Sequence, residues 1–445
     1  MSSPGCFQRE TLRRSAMMMN RRDALAVLAG GTLSLADAAL SAAPKKVHAT
    51  TLLSRNGSGR ATAYAEANKI VTVGQKSHVT WLDSVKGGFR VRIRTLDRKS
   101  GQWSKTWTVG PAHDNHGGPS LTVDSRGHLH VVYFPHHHPF RYRASLKPND
   151  ASAWSDEVEF GRKLTYPTLV CGADDTLYMT ARRSHGKMPW TVEMWKKPVG
   201  KDWEMVGTIL RSRAVGYSHF QEALAWGPDH KRLHLSVRIY ENGGSVEVVG
   251  YMYSDDFGKT WRGRNGRPLA QPVSAETIDV IASGGRVEGK SSHKCGTISV
   301  TGDGRPVVLY SSSNNPGAEM ILATPDGKSG WHRHGLASAL SEKWPEWRIG
   351  PAAEVSINRQ GTMYVLAAMA TEGKNDVALI SSKDLGRTIE VERPAAGVKQ
   401  AKKWLANLER ATGHHQVNGR PGVIFTAGTR GKGNTDILSN DVFWA

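Results

Sequence analysis

Histidines, tyrosines and arginines fall in short groups along this 445-residue chain, and the groups mix side chains that move protons with side chains that hold anions. His113-Asp114-Asn115-His116 is followed by His136-His137-His138 and Arg141, by Tyr166, and by Arg182-Arg183-Ser184-His185. Further along stand Tyr217-Ser218-His219, Arg238, His293, Ser312-Ser313-Asn314-Asn315, Trp344 to Arg348, and His414-His415-Gln416. Imidazole titrates near neutrality and serves as acid or base, while a guanidinium fork pairs with carboxylate oxygens. Carboxylates are scarce in these groups. Asp114, Glu222 and Glu346 are the obvious ones, so a glycoside hydrolase built on two facing carboxyl groups has few residues to draw on.

What must position these groups is a phrase that returns seven times: an apolar run, a short turn rich in Gly and Asp, and a second apolar run. The copies are Lys69 to Leu82, Pro119 to Phe134, Pro167 to Ala181, Glu222 to Arg238, Gly296 to Ser311, Ala352 to Ala368 and the shorter Arg420 to Gly428. Their alternation and turns read as β-hairpins. A spacing of roughly 48 to 75 residues fits four-stranded blades with variable loops. The expected fold is all-β: a single seven-bladed β-propeller of four-stranded antiparallel blades, closed by a strand from near residues 50 to 66 beside the last phrase. With the first strand of each phrase innermost, residues before it and residues after the second strand share one face around the channel. The groups above occupy those positions. Ser254-Asp255-Asp256-Phe257-Gly258-Lys259-Thr260-Trp261 adds an Asp box, S-x-D-x-G-x-T-W, and Ser382 to Thr388 repeats it with Ile389 in place of Trp.

Lys and Arg outnumber Asp and Glu by 59 to 40, a net charge of +19. An acidic partner is favoured, and without a nucleic-acid-binding fold or a basic run interleaved with aromatics, acidic polysaccharide fits better than nucleic acid. Asn20-Arg21-Arg22-Asp23 precedes the apolar stretch Ala24 to Leu40 and the small residues Ser41-Ala42-Ala43. That is a twin-arginine export pattern, so residues 1–43 are expected to be a Tat-type signal peptide, residues 44–445 the propeller, and the mature protein a periplasmic or secreted monomer. The apolar stretch is too short for a membrane span. Cys6 leaves with the leader. Cys171 and Cys295 fall at inner-strand positions of different blades, which disfavours a bridge and leaves metal ligation or burial.

On these residues the chain resembles the BNR-4 (bacterial neuraminidase repeat) propeller group, which includes ulvan lyases and enzymes acting on rhamnose linked to glucuronic acid. The resemblance spans about residues 50 to 445. It is carried by Asp114-Asn115-His116-Gly117-Gly118-Pro119, by Pro135 to Arg143, and by Tyr166-Pro167 with Arg182 following. It implies a secreted polysaccharide lyase that cleaves a glucuronate- or iduronate-containing, ulvan-like polymer by β-elimination. The implied catalytic residues are His116 as base, Tyr166 as acid, Arg182 on the carboxylate and His136 in support. Asn115, His137, Tyr217, His219, Arg238 and Asn315 are the expected substrate contacts. The group's structural zinc points to the His293-x-Cys295 pair with His185, and His219 as a candidate fourth ligand. Three alternatives remain on the same scaffold: an α-L-rhamnosidase acting on rhamnose–glucuronate, a sialidase-like hydrolase using Arg182, Arg238 and Arg348, and a non-catalytic carbohydrate-binding propeller.

Overall fold

The structure is a computed structural model that describes residues 50–445 apart from 288–289, 315–316, 328–329 and 401. The expected signal peptide and Asn315 lie outside the described residues. Residues Val47–Ala445 form one compact unit.

Six of the seven phrases fold as antiparallel hairpins. Ile70–Val73 pairs with Lys76–Val85, Ser120–Val123 with Leu129–Tyr133, and Val158–Cys171 with Leu177–Arg183. His219–Trp226 pairs with Leu233–Glu241, Ser292–Val300 with Pro306–Asn314, and Arg348–Ile357 with Met363–Thr371. The seventh is a correction: Val423–Ala427 is a single strand, flanked by Lys403–Leu408 and Asn440–Trp444. Nine residues are too few for two strands and a turn, so the pairing partners come from outside the phrase. The strand expected near residues 50 to 66 does join that sheet, because Thr51–Gly57 pairs with Asn440–Trp444.

The strands form five sheets of eight, seven, six, four and four strands, and the α-helix among the described residues is the short Ala337–Lys343. The two largest sheets are hairpin units run together. Val158–Cys171 is long enough to pair with His138–Ala144 through one half and with Leu177–Arg183 through the other, and one pairing of Gly57 with Asp83 joins the chain-terminal strands to the first hairpin. The first strands of successive hairpins also pack on one another, from Ile70–Val73 through Ser120–Val123, Val158–Cys171, His219–Trp226, Ser292–Val300 and Arg348–Ile357 to Lys403–Leu408. Asn407 Oδ1 accepts a bond from Lys69 N at 3.0 Å, which brings the last of these strands back to the first.

The apolar faces meet between neighbouring sheets. Val170 and Met194 of one pack with Leu224, Val237 and Trp261 of the next. The Asp box supplies that Trp: Gly258 N donates to Ser254 Oγ at 2.8 Å, Thr260 N donates to Asp256 Oδ1 at 2.8 Å, and Trp261 is left 1% exposed. In the second box the turn bonds are the same, but Ile389 is only half-buried. Trp261→Ala is therefore expected to cost about 3–5 kcal/mol, and Ile389→Ala distinctly less, as read from the denaturant midpoint and slope of each variant.

Candidate active site

The four residues expected to act together are delivered by two neighbouring hairpin units. His116 sits in the turn between Trp107–Ala112 and Ser120–Val123, where Gly117 N donates to Asp114 O at 3.1 Å. Glycine is required there because a Cβ on Gly117 would lie 2.5 Å from Ala112 Cβ, and one on Gly118 would lie 2.7 Å from Ala63 O. His136 and His137 occupy the turn before His138–Ala144, and His137 N donates to Leu164 O at 3.1 Å.

Tyr166 is aimed by a β-bulge. Thr168 pairs with Thr180 and Thr165 with Arg182, so Tyr166 and Pro167 together oppose Ala181. Pro167 has no N–H to lose from the ladder, and Tyr166 takes the left-handed conformation, φ 60°. A bulky residue held there stores about 1–3 kcal/mol of strain, which the surrounding sheet must hold in place. The hairpin register then fixes Arg182 beside the bulge.

The side chains converge. The His116 and His136 rings stack at 3.9 Å, and the His116 and Tyr166 rings are 6.5 Å apart. The Arg182 guanidinium lies 4.6 Å from the Tyr166 ring, 4.8 Å from Trp190 and 5.7 Å from Tyr217. Asp114 accepts from His116 N at 2.8 Å through one oxygen and lies 2.7 Å from His136 Nδ1 through the other. Arg60 reaches Asn115 Oδ1 at 2.7 Å and both ring nitrogens of His116, and Tyr64 stands edge-on to Tyr166 at 4.7 Å. His137 Nδ1 is 2.7 Å from Ser184 Oγ, and the His219 ring is 5.1 Å from Tyr166.

Burial and neighbours set the charges. Burial, with the Arg60 cation alongside, pushes His116 down to about 4 against the pull of Asp114, so its imidazole is neutral at pH 7. Burial likewise lowers His137 to about 4. Burial alone would raise Asp114, but the hydrogen bonds from His116 and His136 hold it well below the usual carboxylate range. Tyr166 is raised by burial and remains a protonated phenol. Arg182 is 1% exposed, and its Nε and Nη1 have no hydrogen-bond partner among the described residues. Nearby, Glu222 is fully buried with neither carboxyl oxygen partnered, and burial raises it well above the usual range.

Other expected residues fall elsewhere. Arg238 is held by Glu247 at 2.8 Å, both side chains being buried. Tyr217 is exposed and near Arg182. His414-His415-Gln416 do not lie on the His116 side: His414 N donates to Val123 O and its ring reaches Gly172 O, both at the far ends of the strands that Pro119 and Tyr166 begin or precede. The reason is the seventh phrase, since Lys403–Leu408 takes the inner place and the residues after it emerge at the opposite end. The zinc candidates do not converge. His185 is bound to Thr191, Cys295 faces Leu309 O, and among the described residues no set containing His185, His293 or Cys295 has three ligand atoms within 4.8 Å of one another. These residues do not fit a shared metal, and no chemical step is routed through one. Cys171 and Cys295 are both buried free thiols.

Sequence reasoning missed Arg60, Tyr64 and Glu66. All three precede the inner strand Ile70–Val73, so the positional rule that found the other groups would have found them in the first unit as well.

The chain matches the family described as BNR repeat-containing family member over residues 61–346. It belongs to that family. Among curated proteins it is similar to an ulvan lyase, PL25, of Pseudoalteromonas sp. (strain PLSV), 24% identical over 226 residues. That match spans 44% of this chain and 44% of the relative. Among solved structures, this BNR-repeat chain is similar in fold to a PL25 ulvan lyase described bound to -[GlcA(1-4)Rha3S]-, with TM-score 0.67 and 13% identity, covering 88% of this chain and 94% of that one. The polysaccharide lyase Uly1 is similar with TM-score 0.60 and 13% identity over 88% of this chain and 96% of that one.

The electrostatics of the cluster can be read directly by NMR titration of the histidine rings. His116 is expected to protonate near pH 4, and because Arg60 lowers it, Arg60→Gln is expected to move its midpoint upward towards the ordinary value near 6.5.

Proposed function

We infer that this protein is a polysaccharide lyase that cleaves a uronate-containing polymer, with rhamnose-linked glucuronate or iduronate as its substrate class. Its sheets are read as seven four-stranded blades in one propeller, and residues 1–43 as a Tat-type leader that sends it to the periplasm or beyond. The observation that carries the functional reading is a neutral His116, a protonated Tyr166 and an Arg182 whose Nε and Nη1 have no hydrogen-bond partner among the described residues, all within reach of one sugar ring. Similarity to lyases of this family supports the same class.

Elimination from a uronate requires three things at once: neutralising the carboxylate, removing the C5 proton, and protonating the leaving oxygen on C4. Arg182 suits the first, its planar fork matching both carboxylate oxygens. His116 suits the second. With Nδ1–H directed to Asp114, the lone pair resides on Nε2, where Arg60 now donates. A uronate carboxylate drawing Arg60 to itself would release that lone pair for the C5 proton. The C5–H electrons then form the C4–C5 double bond as the C4–O bond breaks, and the oxygen leaves with the proton of Tyr166. His136, stacked on His116, supports the carboxylate side, while Asn115, His137, Tyr217 and His219 line the approach.

A hydrolase is less well served. Asp114 is committed to two histidines, Glu222 is sealed in the interior, and Glu346 is exposed on a different unit. The sialidase-like arginine trio is weakened by the Arg238 pairing with Glu247.

The test is incubation with a panel of uronate polysaccharides, ulvan and plant gums among them, following the ultraviolet absorbance of an unsaturated uronate. New reducing ends without that absorbance would mean hydrolysis and overturn the reading. Tyr166→Phe and His116→Ala are each expected to lower the rate by about 10²–10⁴ with the melting temperature unchanged, and Arg182→Lys to fail because a point charge does not replace the fork. In the pH profile of kcat/KM, the acidic limb is expected near 4, where His116 gains its proton, and Arg60→Gln is expected to shift that limb upward.

A further inference from the structure

Two residues singled out by the sequence remain unused by the proposed reaction, Cys171 and His414, and the fold brings them together at the end of the molecule opposite His116. Cys171 closes the strand Val158–Cys171, Asp175 sits in the turn that follows, and His414 comes from the loop after Lys403–Leu408. One ligand atom from each lies within 4.8 Å of the other two. His414 Nε2 is 3.2 Å from Asp175 Oδ1 and 2.8 Å from Gly172 O, and Cys171 Sγ is 3.7 Å from that same carbonyl oxygen.

We propose that Cys171, Asp175 and His414, with the Gly172 carbonyl completing the set, form a structural Zn²⁺ site that staples the loop after Lys403–Leu408 to the Val158–Cys171 hairpin. Zinc bonds of about 2.0–2.3 Å in a tetrahedron put neighbouring ligand atoms about 3.3–3.8 Å apart; the 3.2 Å from His414 Nε2 to Asp175 and the 3.7 Å from Cys171 Sγ to Gly172 O are close to that, and the 2.8 Å from His414 Nε2 to Gly172 O would have to lengthen. The mix of thiolate, imidazole and carboxylate is the ligand chemistry that zinc takes.

Two further observations support the site. The carboxylate is already oriented from outside, since Asp175 accepts from Ser125 N and Ser125 Oγ, each at 2.7 Å, an outer shell of the kind that fixes metal ligands. The loop is also held rigidly enough to present its histidine. Cys171 N donates to Thr412 O at 2.7 Å and Thr122 Oγ1 to the same oxygen at 2.8 Å, while a Cβ on Gly413 would lie 2.3 Å from Val123 O. An ion has access, because the Asp175 and His414 side chains are 15% and 23% exposed above the buried thiol. A staple between positions 171 and 414 closes a long stretch of chain, where such closure removes the most freedom from the unfolded state.

The test uses the full chain, purified without chelator and analysed for metal, then stripped and titrated with Zn²⁺ alone. About one zinc per chain is expected, with a melting temperature that falls on stripping and recovers on zinc addition. Cys171→Ser, Asp175→Asn and His414→Gln should each weaken zinc binding at least tenfold, and the Co²⁺-loaded protein should show a thiolate-to-cobalt absorption band that Cys171→Ser removes. Cys295→Ala should retain both metal and band. His414→Gln, on a partly exposed loop, decides the matter if the buried Cys171→Ser variant fails to fold. The proposal is overturned if the stripped chain takes up no zinc, if the three variants bind zinc as the parent does, or if zinc is lost in Cys295→Ala alone.

Discussion

One carboxylate organises the His116 cluster. Asp114 binds the backbone N–H and Nδ1 of His116 through one oxygen and Nδ1 of His136 through the other, so two imidazoles that stack at 3.9 Å are held from a single point. Bonding of His116 Nδ1 to Asp114 sets its tautomer, leaving Nε2 as the acceptor that Arg60 meets. Stacked rings this close resist being charged together, and a neighbouring guanidinium adds to that resistance. The His116 imidazole is thereby kept neutral, and the positive charge beside it is carried by the Arg60 guanidinium.

Much of this was legible because hairpins are local. Six of the phrases hold their strands and their turn within about twenty residues, so period and turn chemistry suffice to find them. The interval from Tyr166 to Arg182 is a hairpin register, which is why the pair implied by the family resemblance stands side by side. The seventh phrase failed for the opposite reason: its partners, Lys403–Leu408 and Asn440–Trp444, carry no turn signal that ties them to it. That single error displaced His414 from one end of the molecule to the other. Arg60 stands before the first inner strand, where the positional rule reaches it, but its partners Asn115, His116 and Asn434 lie 55, 56 and 374 residues away and are named by no local pattern. The zinc expectation for His293 and Cys295 rested on a two-residue motif, and two ligands on one strand do not specify where the others must come from.

Behind the site lies a set of buried charges drawn from several inner strands. Arg410 donates to Glu354 Oε2 at 3.1 Å and to Ala65 O at 2.7 Å, while Lys69 Nζ donates to Ala67 O and Pro119 O at 2.8 Å each. Burial brings Lys69 down to about 7 and lifts Glu66 to about 7 and Glu354 to about 8, each against the pull of its oppositely charged neighbours. Such groups add little to net stability, yet they tie residues 65–69 to Pro119 and Arg410, and through Arg410 to Glu354. That tie holds the backbone from which Arg60 and Tyr64 project.

The pairing of Thr51–Gly57 with Asn440–Trp444 has a temporal meaning as well as a geometric one. Asn434 accepts from Asn115 N and from Arg60, so the turn carrying His116 is completed by residues made long after it. A ribosome delivering this chain exposes Arg60 early and Asn434 only some 370 residues later. Throughout that interval the first hairpins have no partner for their terminal sheet, and the His116 turn has no anchor on that side. A product cut short before Asn440–Trp444 would leave Thr51–Gly57 without that partner strand.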